Sequence, residues 1–166
     1  MRTYIALLRA INVGGTGKLA MARLRELCEE AGFAGVRSYI QSGNLVLQSS
    51  LSEARVKAAL EKLLEQELGK PHAVFVRTAA ELAEVIEKNP YPGAEARFLQ
   101  VVFFDKAPEL KGVVAPAGEE LTAAGREVYV HYPQGMGQSK LKVTGLKEGT
   151  GRNLNTLSKL FEMAVE

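Results

Sequence analysis

A chain of 166 residues has the length of one large domain or of two small ones that share a core. Its 46% apolar and 24% charged residues are the mix of a folded protein, which excludes a disordered chain. With 21 basic and 19 acidic residues and a net charge of +2, it lacks the footprint that duplex DNA or an anionic membrane requires, so basic chemistry has to come from a local patch.

In chain order, "TYIALLRA" (Thr3–Ala10) has the β-formers and length of a buried strand. "LAMARLRELCEEAGF" follows, with Met21, Leu24, Leu27, Cys28 and Ala31 at helical spacing and Gly32 as the stop. "VRSYI" and "NLVLQ", separated by Gln41-Ser42-Gly43, have the layout of a hairpin. A second helix runs through "SEARVKAALEKLLEQEL", with Ser52 as N-cap, Val56, Leu60, Leu63, Leu64 and Leu68 on one face, and Gly69 after it. "HAVFV" (His72–Val76) closes the series as a strand. The order βαββαβ predicts a ferredoxin-like plait over 1–77, with strand four beside one, then three, then two, and both helices on one face.

From 78 to 166 the pattern is less regular. Thr78 with Glu81 forms a capping box for a helix ending near "NPYP" (Asn89–Pro92). "FLQVVFF" (Phe98–Phe104) is a buried strand, and "EELTAAGREVYVHY" a hairpin turning near Gly125. A last helix carries Leu154, Leu157, Phe161 and Ala164. The expected fold class is therefore α+β, two packed ferredoxin-like α/β-plait subdomains with antiparallel sheets.

No run has the length and apolarity of a membrane span, and no basic segment followed by an apolar one marks secretion, so a cytoplasmic location and no membrane partner are expected. The single Cys28 excludes an intrachain disulfide, and its place on an apolar helix face predicts a buried, inert thiol. His72 and His131 stand apart from any metal-ligand spacing, so neither metal nor cofactor is expected.

The stretch "INVGGTGKL" (Ile11–Leu19) invites comparison with a P-loop. Aligned on Gly17-Lys18, Asn12 stands where the first glycine belongs and Leu19 where the Ser or Thr that holds magnesium belongs, so both ends fail. Glycines beside a helix N-terminus still expose backbone donors that favour an anion. In the expected topology Arg9, Asn12, Gly14, Gly15 and Lys18 meet Gln41, Ser42 and Asn44 at one sheet edge, as candidate ligand-binding residues. A second polar edge combines Ser139 and Lys140 of "HYPQGMGQSKL" with Arg152 and Asn153 of "GTGRNLNT". Asn153 or Thr150 as a plain helix cap is the structural alternative there.

The segments "YIALLRAINVGG", "YIQSGNLVL", "VFVRTAAELAEVIEKNPYP", "VYVHYPQGMGQSKL" and "RNLNT", in this order, resemble the bacterial family catalogued as domain of unknown function 1697. The resemblance implies two α/β-plait halves and no established activity. Its motif segments fall on Arg9, Asn12, Gly14, Gly15, Gln41, Ser42, Gly43, Asn44, Arg77, Tyr132, Pro133, Gly135, Ser139, Lys140, Arg152, Asn153 and Asn155. The chain departs from the family in carrying Leu154 where a Trp is typical, and in shortening a usual helix after Lys140 to "LKVTGLKEGTG".

Three functions remain open. The first is binding of an anionic ligand, namely a phosphorylated small molecule, a nucleotide or an RNA phosphate. The second is a structural or interaction module with a protein partner. The third is an enzyme acting on a phosphorylated small molecule, with His131 or Lys140 as acid/base and Arg9 and Arg152 clamping the anion. Single-stranded RNA read by stacking is disfavoured, because "NLVLQ" supplies no aromatic platform beside Tyr4.

Overall fold

The computed structural model describes residues 1–12 and 18–166. The chain divides into two compact units, Met1–Ala83 with Leu160–Glu166, and Glu84–Lys159. It is an α+β protein whose sheets are antiparallel throughout.

The first unit runs β1 (Arg2–Leu8), α1 (Met21–Glu30), β2 (Ala34–Ser38), β3 (Asn44–Ser49), α2 (Glu53–Leu68) and β4 (Val74–Thr78). Its sheet order is β2-β3-β1-β4, the plait that the alternation of elements dictates. One face carries Tyr4, Ala6, Leu8, Leu45, Leu47, Val74 and Val76, and α1 and α2 cover it with Leu24, Cys28, Val56, Leu60 and Leu64. Ile5, Leu7, Val46 and Phe75, which alternate with these, are buried too, and this is why the strands read as unbroken apolar runs. The caps follow from local spacing. The Ser52 hydroxyl accepts from the Arg55 amide, and Gly69 closes α2 in a left-handed conformation.

Cys28 is wholly buried, and the loss of solvent pushes its thiol from the usual 9.0 up to about 12. In the unfolded chain the same thiol ionises first. Stability is therefore drawn down as pH rises from 9.0 toward about 12, and is untouched at neutral pH.

The second unit holds β5 (Leu99–Phe103), β6 (Lys111–Val114), β7 (Glu120–Ala124), β8 (Glu127–His131), β9 (Lys142–Thr144) and β10 (Thr150–Asn153). Helices α3 (Ala79–Glu87) and α4 (Leu154–Ala164) each contain a boundary between the units. The second sheet has the order β10-β5-β8-β7. Numbered by appearance, and leaving β6 and β9 aside, this is again strand four beside one, three and two. What differs is the crossovers. Where the first unit uses helices to pass from its first strand to its second and from its third to its fourth, this unit uses β6 and β9, which pair with each other as a two-stranded ribbon. Leu110, Leu141 and Leu146, flanking the ribbon strands, pack on Val102, Phe104, Val128, Val130 and Tyr132, the part that helices play in the first unit.

The parallel extends to register. Ile5 lies opposite Val46 and Arg77, and Val101 opposite Tyr129 and Arg152. The Leu8 amide donates to the Gly43 carbonyl at 2.9 Å, and the Phe104 amide, at the matching place, donates to the Arg126 carbonyl at 2.9 Å. Each fourth strand carries a buried arginine whose guanidinium donates to the carbonyl just before it, Arg77 to Val76 and Arg152 to Gly151, both at 2.9 Å. A capping residue and a helix follow each arginine. Thr78 and Glu81 form a reciprocal box, and Asn153 Oδ1 accepts from the Thr156 amide at 2.9 Å.

Because these caps satisfy equivalent orphan amides, Thr78→Ala and Asn153→Ala are each expected to lower the unfolding free energy by about 1 kcal/mol in urea denaturation. Labelling of Cys28 by a thiol reagent is expected to follow global unfolding, and rapid labelling of the native chain would contradict its burial.

Candidate functional site

The two polar edges expected from sequence lie in different units, and each has its own construction. In the first, antiparallel pairing carries the end of β1 to the β2–β3 turn. The Leu8 amide meets Gly43, and the Arg9 amide donates to the Ala73 carbonyl at 2.9 Å on the other side. His72 Nδ1 lies 3.2 Å from the Arg9 carbonyl, and since a carbonyl only accepts, that nitrogen carries the proton. Its other ring nitrogen, Nε2, is buried without a hydrogen-bond partner among the described residues.

Asn12 closes this rim. Its backbone is left-handed (φ 60°), which asparagine tolerates better than most residues. Its side-chain amide donates to the Leu19 carbonyl at 2.9 Å and to the Gln41 carbonyl at 2.8 Å, while its oxygen accepts from the Leu19 amide at 2.7 Å. One side chain thus ties together both ends of the glycine segment and the hairpin turn. Asn44 is equally committed. It is fully buried and donates to the Tyr39 carbonyl and the Ser42 hydroxyl, at 3.0 and 2.9 Å. Both asparagines shape the rim from within. Arg9 and Ser42 are half-buried, and Lys18 and Gln41 are exposed. Gly14, Gly15 and Gly17 lie outside the described residues. The strand before them belongs to an antiparallel sheet, not to the parallel sheet of a P-loop protein.

Gly43 fixes how closely β1 and the turn approach. Its φ is +81°, and a Cβ there would sit 2.9 Å from Leu8 Cβ and 3.3 Å from Ile11 Cβ.

In the second unit, Ser139 and Lys140 line a groove of about 760 Å³. The chain from Ser139 to Glu148 curves around it, with Tyr132 and Gly112 completing the wall. Three lysines, Lys140, Lys142 and Lys147, and one carboxylate, Glu148, line it, together with Ser139 and Thr144. The curve depends on Gly145, where φ is +94° and a Cβ would approach the Glu109 carbonyl oxygen to 2.6 Å. Glu119 anchors the segment from behind. This buried carboxylate accepts from the Ala117 amide at 3.1 Å and from the Ser139 hydroxyl at 3.4 Å, and the Ser139 oxygen in turn accepts from the Leu141 amide at 3.2 Å. Burial, then the Glu119 charge, hold the Tyr132 phenol above its ordinary range.

Arg152 and Asn153 do not join this groove. Arg152 is 8% exposed, its guanidinium held by the Thr150 hydroxyl at 2.7 Å and by the Gly151 carbonyl. Desolvation lowers it to about 10, which leaves it charged at neutral pH. Asn153 caps α4. His131 is separated as well. Tyr132, the residue after β8, lines the lysine groove, while His131, the last residue of β8, lines a different pocket with Tyr91 and Glu120. The convergence of His131, Ser139 and Lys140 that an acid/base site would need is absent. Among the described residues, no group of three or more His, Cys, Asp or Glu is placed to hold a metal ion. No helix there is long and apolar enough to cross a membrane.

Over residues 1–129 the chain matches the family described as a protein of unknown function, DUF1697. The chain belongs to that family. It is also similar to the solved structure of a conserved bacterial protein from Streptococcus pneumoniae, with a TM-score of 0.73, 23% identity and 98% of each chain covered. At that identity the likeness speaks for the fold alone. None of the curated proteins matches. After Lys140 the chain runs through β9, a short 3-10 turn (Leu146–Glu148) and β10 before α4 begins at Leu154.

The sequence alone does not single out Lys142 or Lys147. The "KLK" spacing was the available signal, and without the ribbon it pointed to no surface. At the first rim, Gly43→Ala is expected to cost about 2–4 kcal/mol, combining left-handed strain with overpacking against Leu8, read by urea or thermal unfolding. Wild-type stability would contradict the close approach.

Proposed function

We propose that the protein binds an anionic, phosphate-bearing ligand, and that the groove along Ser139–Glu148 receives it. The observation that carries this reading is the charge of the wall, with Lys140, Lys142 and Lys147 against Glu148 in a concavity of about 760 Å³. Lysine binds phosphate as a point charge, and hydroxyls such as those of Ser139 and Thr144 orient the oxygens. A local basic patch of this kind attracts an anion even though the chain as a whole is nearly neutral. The first-unit rim supports the reading less well, because Asn12 and Asn44 are committed to holding backbone together.

A phosphorylated small molecule, a nucleotide and an RNA phosphate share this chemistry. Calorimetric titration with inorganic pyrophosphate, ATP and a short oligoribonucleotide separates them. The expected result is saturable binding of at least one of these, weakened by salt. The Lys140→Ala/Lys142→Ala double variant should lose about tenfold or more in affinity, while Arg9→Ala changes it little. Absence of heat with every phosphate ligand, or a double variant that binds as well as the parent, would end the proposal.

A protein partner is the second reading, and one observation favours it. Val113 and Val114 on β6 are 52% and 54% exposed. Isolated exposed valines are common on protein surfaces, so the lysine groove ranks first.

A further inference from the structure

The pocket that holds His131 has the opposite chemistry to the lysine groove. We infer that it is a binding site for a small organic cation, an ammonium group carrying methyl or methylene substituents. Three rings, from Tyr91, Phe98 and His131, line a space of about 420 Å³, and the only formally charged residues lining it with them are the carboxylates Glu95 and Glu120.

The rings are held in place. Tyr91 and His131 stand 5.9 Å apart between centroids, tilted by 30°. The Tyr91 hydroxyl shares a hydrogen bond of 2.7 Å with the Thr122 hydroxyl, which fixes the ring against β7. His131 ends β8, opposite Leu99 on one side and Glu120 on the other, and its Nδ1 lies 3.9 Å from the Glu120 carboxylate.

The electron-rich faces of aromatic rings attract cations, most strongly where water is excluded and a carboxylate stands nearby. The protein already uses this combination once. The Arg97 guanidinium lies 4.4 Å from the centre of the Phe98 ring while its Nε is 3.2 Å from Glu95. Glu95 is paired with Arg97, so the carboxylate that favours a cation over a phosphate here is Glu120, beside His131, and the pocket and the lysine groove suit ligands of opposite charge.

The test is titration of the full chain with choline and tetramethylammonium, followed by the ring resonances of tyrosine and phenylalanine in proton NMR. The neutral isostere 3,3-dimethylbutanol serves as the comparison. Both ammonium ions are expected to bind saturably, about fivefold or more tighter than the neutral alcohol. Tyr91→Phe keeps the ring and should keep binding, whereas Tyr91→Leu should weaken it about fivefold or more. Because Tyr91→Leu also removes the hydroxyl bonded to Thr122, Glu120→Gln at an exposed carboxylate supplies a second probe that spares the fold, with an expected loss of about threefold. Lys140→Ala should leave ammonium binding unchanged. Saturation absent for both ammonium ions would overturn the inference. So would equal affinity for the alcohol, or undiminished binding in both the Tyr91→Leu and Glu120→Gln proteins.

Discussion

Antiparallel pairing of the first strand with the third is the constraint on which each unit depends. It brings the end of the first strand against the turn that precedes the third, and in both units a backbone amide seals the junction, Leu8 to Gly43 and Phe104 to Arg126. Once that contact is made, the fourth strand must lie on the other side of the first, and the arginine near its end becomes interior. A capping residue then sends the chain into a helix. The same sequence of events occurs twice, with Arg77 and Thr78 in one unit and Arg152 and Asn153 in the other. Strand order, register, arginine and cap are thus shared by the two halves.

The halves diverge in what covers the sheet. Two amphipathic helices bury one face of the first unit's sheet. In the second unit a short ribbon and its flanking leucines do this, and the segment from Ser139 to Glu148 lines a groove. Covering by a ribbon in place of helices has a chemical consequence. The connecting residues line a concavity, and three of them are lysines. At the end of β8, His131 lines an aromatic pocket that includes Glu95 and Glu120, and the next residue, Tyr132, lines the lysine groove, so two chemically different surfaces meet consecutive residues.

Local signals in the sequence were sufficient for the first plait. Helical spacing through Leu24, Cys28, Leu60 and Leu64, the Ser-Gly-Asn turn, and the Thr78–Glu81 box act over a few residues and are visible without the fold. Asn12 was less legible. Its residue type was informative, but its partners at Leu19 and Gln41 are set by the sheet, so a side chain expected to face a ligand instead fastens the backbone. Arg152 misled for a related reason. An arginine in a polar run suggests a surface, yet alternation along β10 turns it inward, where Thr150 and Gly151 receive its donors. The ribbon was not legible at all, because β6 and β9 are four and three residues long in stretches dotted with proline and glycine. Without it, Lys142 and Lys147 had no common surface.

The central claim is that the second unit's groove, rather than the first unit's rim, is where an anion binds. A backbone amide shift map, recorded while pyrophosphate is titrated into the full chain, tests this most directly. The account predicts saturable shifts concentrated between Ser139 and Glu148 and around Gly112, the residues of the groove wall. Shifts concentrated instead at Arg9, Lys18 and Ser42 would contradict it.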